Sequence, residues 1–181
     1  DNVKPQISDQ WSLGYFRNSK NNVFESSVEV YYKNMQNQID YRNGADLIFN
    51  STVEAELVYG RGWAYGAEFL LKKNYGKLTG WLGYTWSKTM RQFDQINNGE
   101  AFPARQDRRH DVSVVCMYDL SRKLKISATW VFNTGNAVTF PNGKYVIDGK
   151  TIGYYTQRNG YRMPDYHRLD FSVNYLLKSV D

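Results

Sequence analysis

Hydrophobic and polar residues alternate along much of the chain, most clearly in the segment from Tyr166 to Leu176. On one parity the side chains are mostly aromatic or aliphatic: His167, Leu169, Phe171, Val173 and Tyr175. The other parity carries the polar side chains Arg168, Asp170, Ser172 and Asn174. A period of two is typical of a β-strand with one apolar and one polar face. This segment is therefore predicted to be a strand whose two faces meet different surroundings.

The same alternation recurs and predicts about seven strands. They cover approximately residues 10–17, 23–41, 63–73, 77–93, 108–120, 124–140 and 166–176. Tilted strands of about 9–11 residues can cross a bilayer. Trp81 falls on the opposite parity to Leu82, Tyr84 and Trp86, so alternation alone leaves the facing of the strand over 77–93 open.

The predicted connections alternate between tight and long. Asn74–Gly76 and Ser121–Lys123 are predicted to be tight turns, with Gly76 available for a positive φ. Long connections are predicted near residues 43–58, 94–104 and 141–164. Transmembrane barrels have short turns at one rim and long loops at the other. The pattern therefore favours an all-β fold, an antiparallel up-and-down transmembrane β-barrel wall, over a soluble sandwich.

Composition is compatible with such a wall. Aromatic residues make up 16% of the 181 residues, with 15 Tyr and 5 Trp, while the mean hydropathy is −0.64. Tyr and Trp prefer the membrane–water interface, which accounts for their excess in a barrel. The net charge of +5 is spread along the chain, and the single Cys116 cannot form a disulfide within it.

Short sequence motifs occur one after another along nearly the whole chain. They are Ser27–Lys33, Gly62–Phe69, Gly76–Trp81, Tyr84–Ser87, Asp107–Asp111, Asn133–Asn136, and Arg162–Pro164 followed by Tyr166–Asp170. In order and spacing they resemble the C-terminal part of the β-barrel of TonB-dependent outer-membrane receptors. The resemblance implies about seven strands of a 22-stranded barrel. Residues 1–181 would then be a partial barrel domain, truncated at both ends, without the plug domain, the TonB box or the final strand.

The resemblance also implies a function, a location and partners. The chain would be a wall segment of an energy-coupled importer of siderophore, haem, vitamin, glycan or peptide in the outer membrane of a Gram-negative bacterium. Implied partners are membrane lipid, lipopolysaccharide, the nutrient and TonB, the last through the plug of the longer protein; a surface lipoprotein is a further possible partner. No enzymatic activity, cofactor, metal or nucleic-acid partner is expected. Two alternatives stay open: an outer-membrane barrel enzyme, and a soluble β-rich module that binds glycan or nucleic acid.

Two groups of residues are candidates for contact with the imported molecule. The connection over residues 143–162 combines aromatic and basic side chains, which suit stacking on a ligand. Its candidate ligand contacts are Tyr145, Tyr154, Tyr155, Arg158, Tyr161 and Arg162. Residues 96–105 form a second candidate loop. The charged residues predicted to face the lumen are Glu29, Glu68, Asp111, Arg168 and Asp170.

Asp107, His110 and Asp111 have the side-chain types of a metal site, but their spacing does not favour one. Alternation places His110 and Asp111 on opposite faces of a strand. We expect a polar network instead, in which the two carboxylates pair with neighbouring arginines. The arginines available nearby are Arg105, Arg108 and Arg109.

Overall fold

The computed structural model describes residues 3–45, 50–155 and 157–177. In chain order its strands are β1 (Ile7–Asn18), β2 (Phe24–Tyr41), β3 (Leu57–Lys73), β4 (Leu78–Gln92), β5 (Phe102–Pro103), β6 (His110–Asp119), β7 (Leu124–Asn133), β8 (Ala137–Val138), β9 (Gly143–Ile147), β10 (Lys150–Tyr154), β11 (Tyr161–Arg162) and β12 (Tyr166–Tyr175). Short 3₁₀ helices cover Lys20–Asn22, Val53–Glu56 and Asn97–Gly99. Within the described ranges, no helix has the length and apolar character needed to span a bilayer.

The long strands form one antiparallel sheet. Its order is β1-β2-β3-β4-β6-β7-β12, with β5 added beside the end of β4. Consecutive long strands are neighbours, so the sheet is a meander, and the predicted all-β, up-and-down architecture is confirmed. The remaining strands form two small pairs, β9 with β10 and β8 with β11.

The register divides the sheet into an apolar face and a polar face. One row of the apolar face crosses six long strands through Tyr15, Val28, Phe69, Tyr84, Val112 and Phe132. Apolar side chains on this face are highly exposed: Leu13 by 75% and Phe171 by 76%. A soluble domain rarely exposes a continuous apolar surface of this extent. The face therefore requires an apolar surrounding outside the chain.

The register also settles the facing of β4. Leu82 and Tyr84 pair with Val114 and Val112 on the apolar face. Trp81 pairs with Val115 on the polar face. An indole on the polar side of the strand is the reason why alternation alone left the facing open.

Three predicted segments differ in the structure. β3 begins at Leu57, six residues before the predicted start at residue 63. β7 ends at Asn133, whereas the alternation extended this strand to Phe140. Just beyond the strand, Gly135 approaches the backbone of Met163 so closely that a Cβ atom would lie 1.5 Å from its carbonyl oxygen. The N–H of Gly135 also donates to the carboxylate of Asp165 at 3.0 Å. The third difference lies in the connection over residues 141–164, which was predicted as a long loop and contains the β9–β10 hairpin.

The buried apolar cluster lies at the end of the sheet that carries the long connections. It consists of Val58, Phe93, Ile96 and Phe102. The rings of Phe93 and Phe102 stack with centroids 6.0 Å apart. Gly60 makes room for this packing, because a Cβ atom there would lie 2.5 Å from the Phe93 ring. The cluster gives the long connections an ordered base.

Candidate functional site

The candidate site lies at the rim formed by the long connections. The chain between β4 and β6 folds back along β4, since β5 places Pro103 opposite Met90 and Phe102 opposite Arg91. This pairing continues the sheet with a loop segment in place of a full strand. The connection between β7 and β12 then packs onto this folded loop, so two long connections build one surface.

One carboxylate, that of Asp107, holds both connections. Asp107 is only 1% exposed, and its carboxylate accepts a hydrogen bond from the N–H of Thr89 at 2.5 Å. The same carboxylate forms ion pairs with Arg162 and, at 3.6 Å, with Arg109. Arg162 also donates to the carbonyl oxygens of Asp107, at 2.6 Å, and Gly135, at 3.3 Å. The predicted pairing of Asp107 with Arg109 is thus confirmed, and Arg162 is a second partner.

A second carboxylate, that of Asp40, repeats this arrangement. Asp40 lies near the end of β2 and pairs with Arg91 of β4 at 3.5 Å and with Arg158 of the long connection. The guanidinium of Arg158 also donates to the side-chain oxygen of Asn43 at 3.0 Å. Each of the two carboxylates therefore binds two arginines, one of which belongs to the connection between β7 and β12.

Asn97 connects the two loops, over residues 96–105 and 143–162, that the sequence indicated as separate candidates for ligand contact. Its side-chain oxygen accepts from the N–H of Arg158 at 2.8 Å, and its side-chain amide donates to the Arg158 carbonyl at 3.2 Å. Nearby, the amide of Asn159 donates to the carbonyl of Pro103 at 2.9 Å. Residues 157–160, which we call the rim segment, are consequently fixed to the 96–105 loop through backbone and side-chain groups.

The rim segment separates two open cavities. The larger has a volume of about 430 Å³ and is lined by Asn43, Gly44, Thr139, Tyr155, Gln157 and Arg158. The smaller has a volume of about 210 Å³ and is lined by Asn97, Asn98, Glu100, Ala101, Phe102, Pro103, Gln157, Arg158 and Gly160. Gln157 and Arg158 line both cavities, so a ligand in either one would meet the rim segment.

The six predicted ligand contacts occupy different places. Tyr155 and Arg158 line the larger cavity. Tyr145 and Tyr154 lie on the exposed β9–β10 hairpin. Tyr161 packs against Phe140, with ring centroids 5.3 Å apart. Arg162 is held by Asp107, as described above.

The five charged residues predicted to face the lumen all lie on the polar face. Glu29 and Glu68 are direct cross-strand neighbours, and the same row continues through Thr85 to Asp111. Together with Trp81 they line a hollow of about 320 Å³. Arg168 and Asp170 share this face on β12 and form an ion pair at 2.8 Å. Asp111 lies 4.0 Å from Arg108.

The histidine near Asp107 has another role in the fold. His110 pairs with Trp86 on the apolar side of the sheet, and its Nδ1 lies 2.8 Å from the hydroxyl of Tyr84. The two rings are stacked. In the described part of the chain, no group of three or more His, Cys, Asp or Glu side chains is placed to hold a metal ion.

The connection between β2 and β3 is closed by an ion pair. The guanidinium of Arg42 forms two hydrogen bonds with the carboxylate of Glu56, and the Arg42 N–H donates to the Glu56 carbonyl at 3.0 Å. The hydrogen bonds from Arg42 lower the pKa of the Glu56 carboxyl, and the same interaction raises the pKa of Arg42. Both groups lie beyond the ends of the strands.

Asp40 was missed when the sequence was considered alone, and Asn97 was included only as part of the candidate loop over residues 96–105. Asp40 pairs with an arginine 118 positions away, and no local pattern encodes that distance. Asn97 and Asn98 both have a positive φ, of 51° and 56°. The Asn-Asn-Gly sequence at 97–99 is a recognisable turn signal, because Asn and Gly tolerate this backbone region. It indicates a turn there but not what the turn contacts.

Comparison with known proteins adds one match. The family model described as TonB dependent receptor-like, beta-barrel, matches residues 1–180 of the chain. No curated protein matches the sequence. The matched range includes every strand of the sheet and both connections that build the rim.

Proposed function

The chain belongs to the TonB-dependent receptor β-barrel family, and we propose that it forms part of the wall of an energy-coupled importer for a scarce nutrient. Receptors of this family lie in the outer membrane of Gram-negative bacteria, and the family is one of transporters. The soluble-module alternative is therefore wrong. In the described part of the two connections, the rim geometry does not favour the alternative of a barrel enzyme.

The observation that best supports a role in the wall of an importer is the division of the sheet into an apolar and a polar face. Large apolar side chains cover one face from β1 to β12 and suit contact with lipid. The opposite face carries Glu29, Glu68, Asp111 and the Arg168–Asp170 pair, which suit a wet lumen. We infer that these charged groups line the path of the nutrient.

A barrel larger than this sheet accounts for its edges. In the described ranges, β1 and β12 are the outermost long strands. Backbone N–H and C=O groups in hydrocarbon must be hydrogen-bonded, so strand edges in a bilayer require further strands. We infer that a longer receptor supplies them, together with the plug and the TonB box.

The rim is the part of this chain best suited to meet the nutrient first. Tyr155 and Arg158 would contact it in the larger cavity, and the hairpin tyrosines Tyr145 and Tyr154 would contact it further out. Tyr161 and Arg162 would act indirectly, by holding the rim in place. Tyr161 packs on Phe140, and Arg162 is bound to Asp107. The apolar face would meet membrane lipid and lipopolysaccharide.

Uptake measurements in the native bacterium test the import proposal. Strains with and without the gene of the full-length receptor would be given labelled candidate nutrients, before and after removal of TonB. We expect one nutrient whose accumulation needs both the receptor and TonB, because import against a gradient requires energy from the inner membrane. Receptor-dependent accumulation that continues without TonB would contradict energy coupling.

A further inference from the structure

The arginines at the rim cavities are already bound to other side chains. The guanidinium of Arg158 is bound to Asp40 and to the side-chain oxygen of Asn43. Arg91, below it, shares the Asp40 carboxylate at 3.5 Å, and Glu100 lines the smaller cavity. Two cationic and two acidic side chains therefore balance around the cavities. A bound anion would have to compete with Asp40 for a guanidinium that is held in place.

In the larger cavity, the groups left for a ligand by the described residues are neutral. They are the side-chain amide of Gln157 and the phenol ring of Tyr155. The side-chain oxygen of Asn43 already accepts from Arg158, and the Thr139 hydroxyl is hydrogen-bonded to Asn159. Tyr155 is 58% exposed. An amide offers both donors and an acceptor, and so does the hydroxyl of a sugar, which makes the two complementary. Aromatic rings supply an apolar contact surface in binding sites.

From this balance we propose that the rim cavities bind an uncharged, hydroxyl-rich ligand of the oligosaccharide class. The inference rests on the proposed import function and gives its substrate class. Gln157 and Arg158 lie between the two cavities, so a linear ligand can extend from one to the other across the rim segment. The larger volume, about 430 Å³, lies within the usual range of ligand pockets, roughly 300–1,000 Å³, and the smaller, about 210 Å³, lies below it.

Ligand specificity would come from groups next to backbone that the fold holds in a fixed position. Asn97 fixes the backbone of Arg158 on both its N–H and its carbonyl, so the backbone beside the neighbouring Gln157 is set before a ligand arrives. Pre-organised groups lose little conformational entropy on binding. Tyr155 provides the stacking surface and Gln157 the hydrogen bonds that distinguish one sugar from another.

Calorimetry on the full-length receptor in detergent tests the substrate class. The neutral probes are short malto-, cello-, xylo- and manno-oligosaccharides. The anionic probes are oligogalacturonides, ferric citrate and a ferric catecholate. We expect at least one neutral probe to bind and the anionic probes not to bind at the rim.

Variants locate the site. Tyr155→Ala and Gln157→Ala should each weaken binding of the neutral probe about ten-fold, which corresponds to about 1.4 kcal/mol. Tyr155→Trp should retain most of the affinity, because the aromatic surface remains. The matched control is Tyr75→Ala, an exposed tyrosine in the tight turn after β3, which should leave the affinity unchanged. Retained mobility of the folded receptor on unheated gels checks that each variant is folded.

Three outcomes would overturn the proposal. The first is salt-sensitive binding of an anionic probe with no neutral probe bound. The second is neutral binding that Tyr155→Ala and Gln157→Ala leave intact, and the third is no binding of any neutral probe. With any of these three outcomes, TonB-dependent uptake of another nutrient class would still support the import function. If no nutrient showed TonB-dependent uptake, the import function itself would be rejected.

Discussion

The carboxylate of Asp107 is almost completely buried. A buried charge is tolerated when opposite charges and hydrogen bonds satisfy it. The Thr89 N–H, Arg109 and Arg162 supply these partners from three separate segments. Removing the charge therefore affects both long connections at once, because the arginines of both depend on it.

Replacing Asp107 with Asn should destabilise the rim. The substitution keeps the size of the side chain but leaves two guanidiniums without a counter-charge, at a cost of roughly 1–3 kcal/mol. Urea unfolding of the full-length receptor in lipid vesicles, with proteolysis of the rim as a second readout, would measure the loss. The matched control is Asp111→Asn. Its carboxylate is about half exposed and lies 4.0 Å from Arg108, so less than about 1 kcal/mol is expected. Equal losses in the two variants would contradict a special role for Asp107.

The Arg42–Glu56 pair should make the β2–β3 connection sensitive to acid. The pKa of Glu56 is lowered from its ordinary value of 4.5, so the stabilisation is complete above that pH. It is lost as the pH falls through the lowered pKa, because the folded state must then bind a proton that breaks the pair. Hydrogen exchange of residues 50–56, corrected for intrinsic rates, would show more protection in the wild type than in Glu56→Gln at neutral pH. The difference should vanish in acid; a difference that stays constant to the lowest pH would contradict the assignment.

At the level of elements, the contact between β4 and β6 depends on Gly80. This residue has a φ of 146°, and a Cβ atom would lie 1.9 Å from the carbonyl oxygen of Val115. The obstacle is backbone of the neighbouring strand and cannot rotate away. The two strands approach here only because position 80 has no side chain.

Gly80→Ala should therefore loosen the β4–β6 pairing. Overpacking against a fixed backbone costs about 1–3 kcal/mol. Folding yield of the receptor into lipid vesicles, followed by its shift in gel mobility, would report the loss. Gly83→Ala in the same strand is the control, since its Cβ would meet only the Trp81 side chain at 3.4 Å, an ordinary contact. A larger effect at position 83 than at position 80 would refute this account.

At the level of the whole molecule, the two faces of the sheet should respond differently to charge. Phe171 and Ser172 are neighbours in β12 on the apolar and the polar face respectively. A lysine on the lipid-facing side costs roughly 2–4 kcal/mol near the bilayer midplane, and much less towards a lumen. Phe171→Lys should lower the unfolding free energy of the receptor in lipid vesicles by about this amount, whereas Ser172→Lys should not. Equal effects would mean that the apolar face does not meet lipid.

Strand positions were largely predictable from the sequence, because alternation is a local property. The strand predicted over 166–176 is observed as Tyr166–Tyr175, and the turn at Asn74–Gly76 lies between β3 and β4, with Gly76 at a φ of 101°. Where a side chain interrupted the alternation of apolar and polar residues, the sequence no longer predicted which face each residue occupies. Trp81 left the facing of β4 undecided until its pairing with Val115 placed it on the polar face.

The candidate site was predictable only in part, for the same physical reason. Aromatic and basic composition indicated the 143–162 connection, and Tyr155 and Arg158 do line the larger cavity. The partners of the connection are distant in sequence: Asp40 lies 118 positions from Arg158, and Asp107 lies 55 positions from Arg162. Such contacts leave no periodic signal.

By itself the sequence determined the class of fold, the approximate strands, the two unlike faces and the family resemblance. These follow from a backbone that turns successive side chains to opposite sides, so that each strand carries its own pattern. Only the tertiary structure decided that two long connections form one rim around shared carboxylates. It also decided that Arg158 and Arg162 are bound by carboxylates and are not left for a ligand. Those answers depend on the sheet register, which brings together groups that the chain itself keeps far apart.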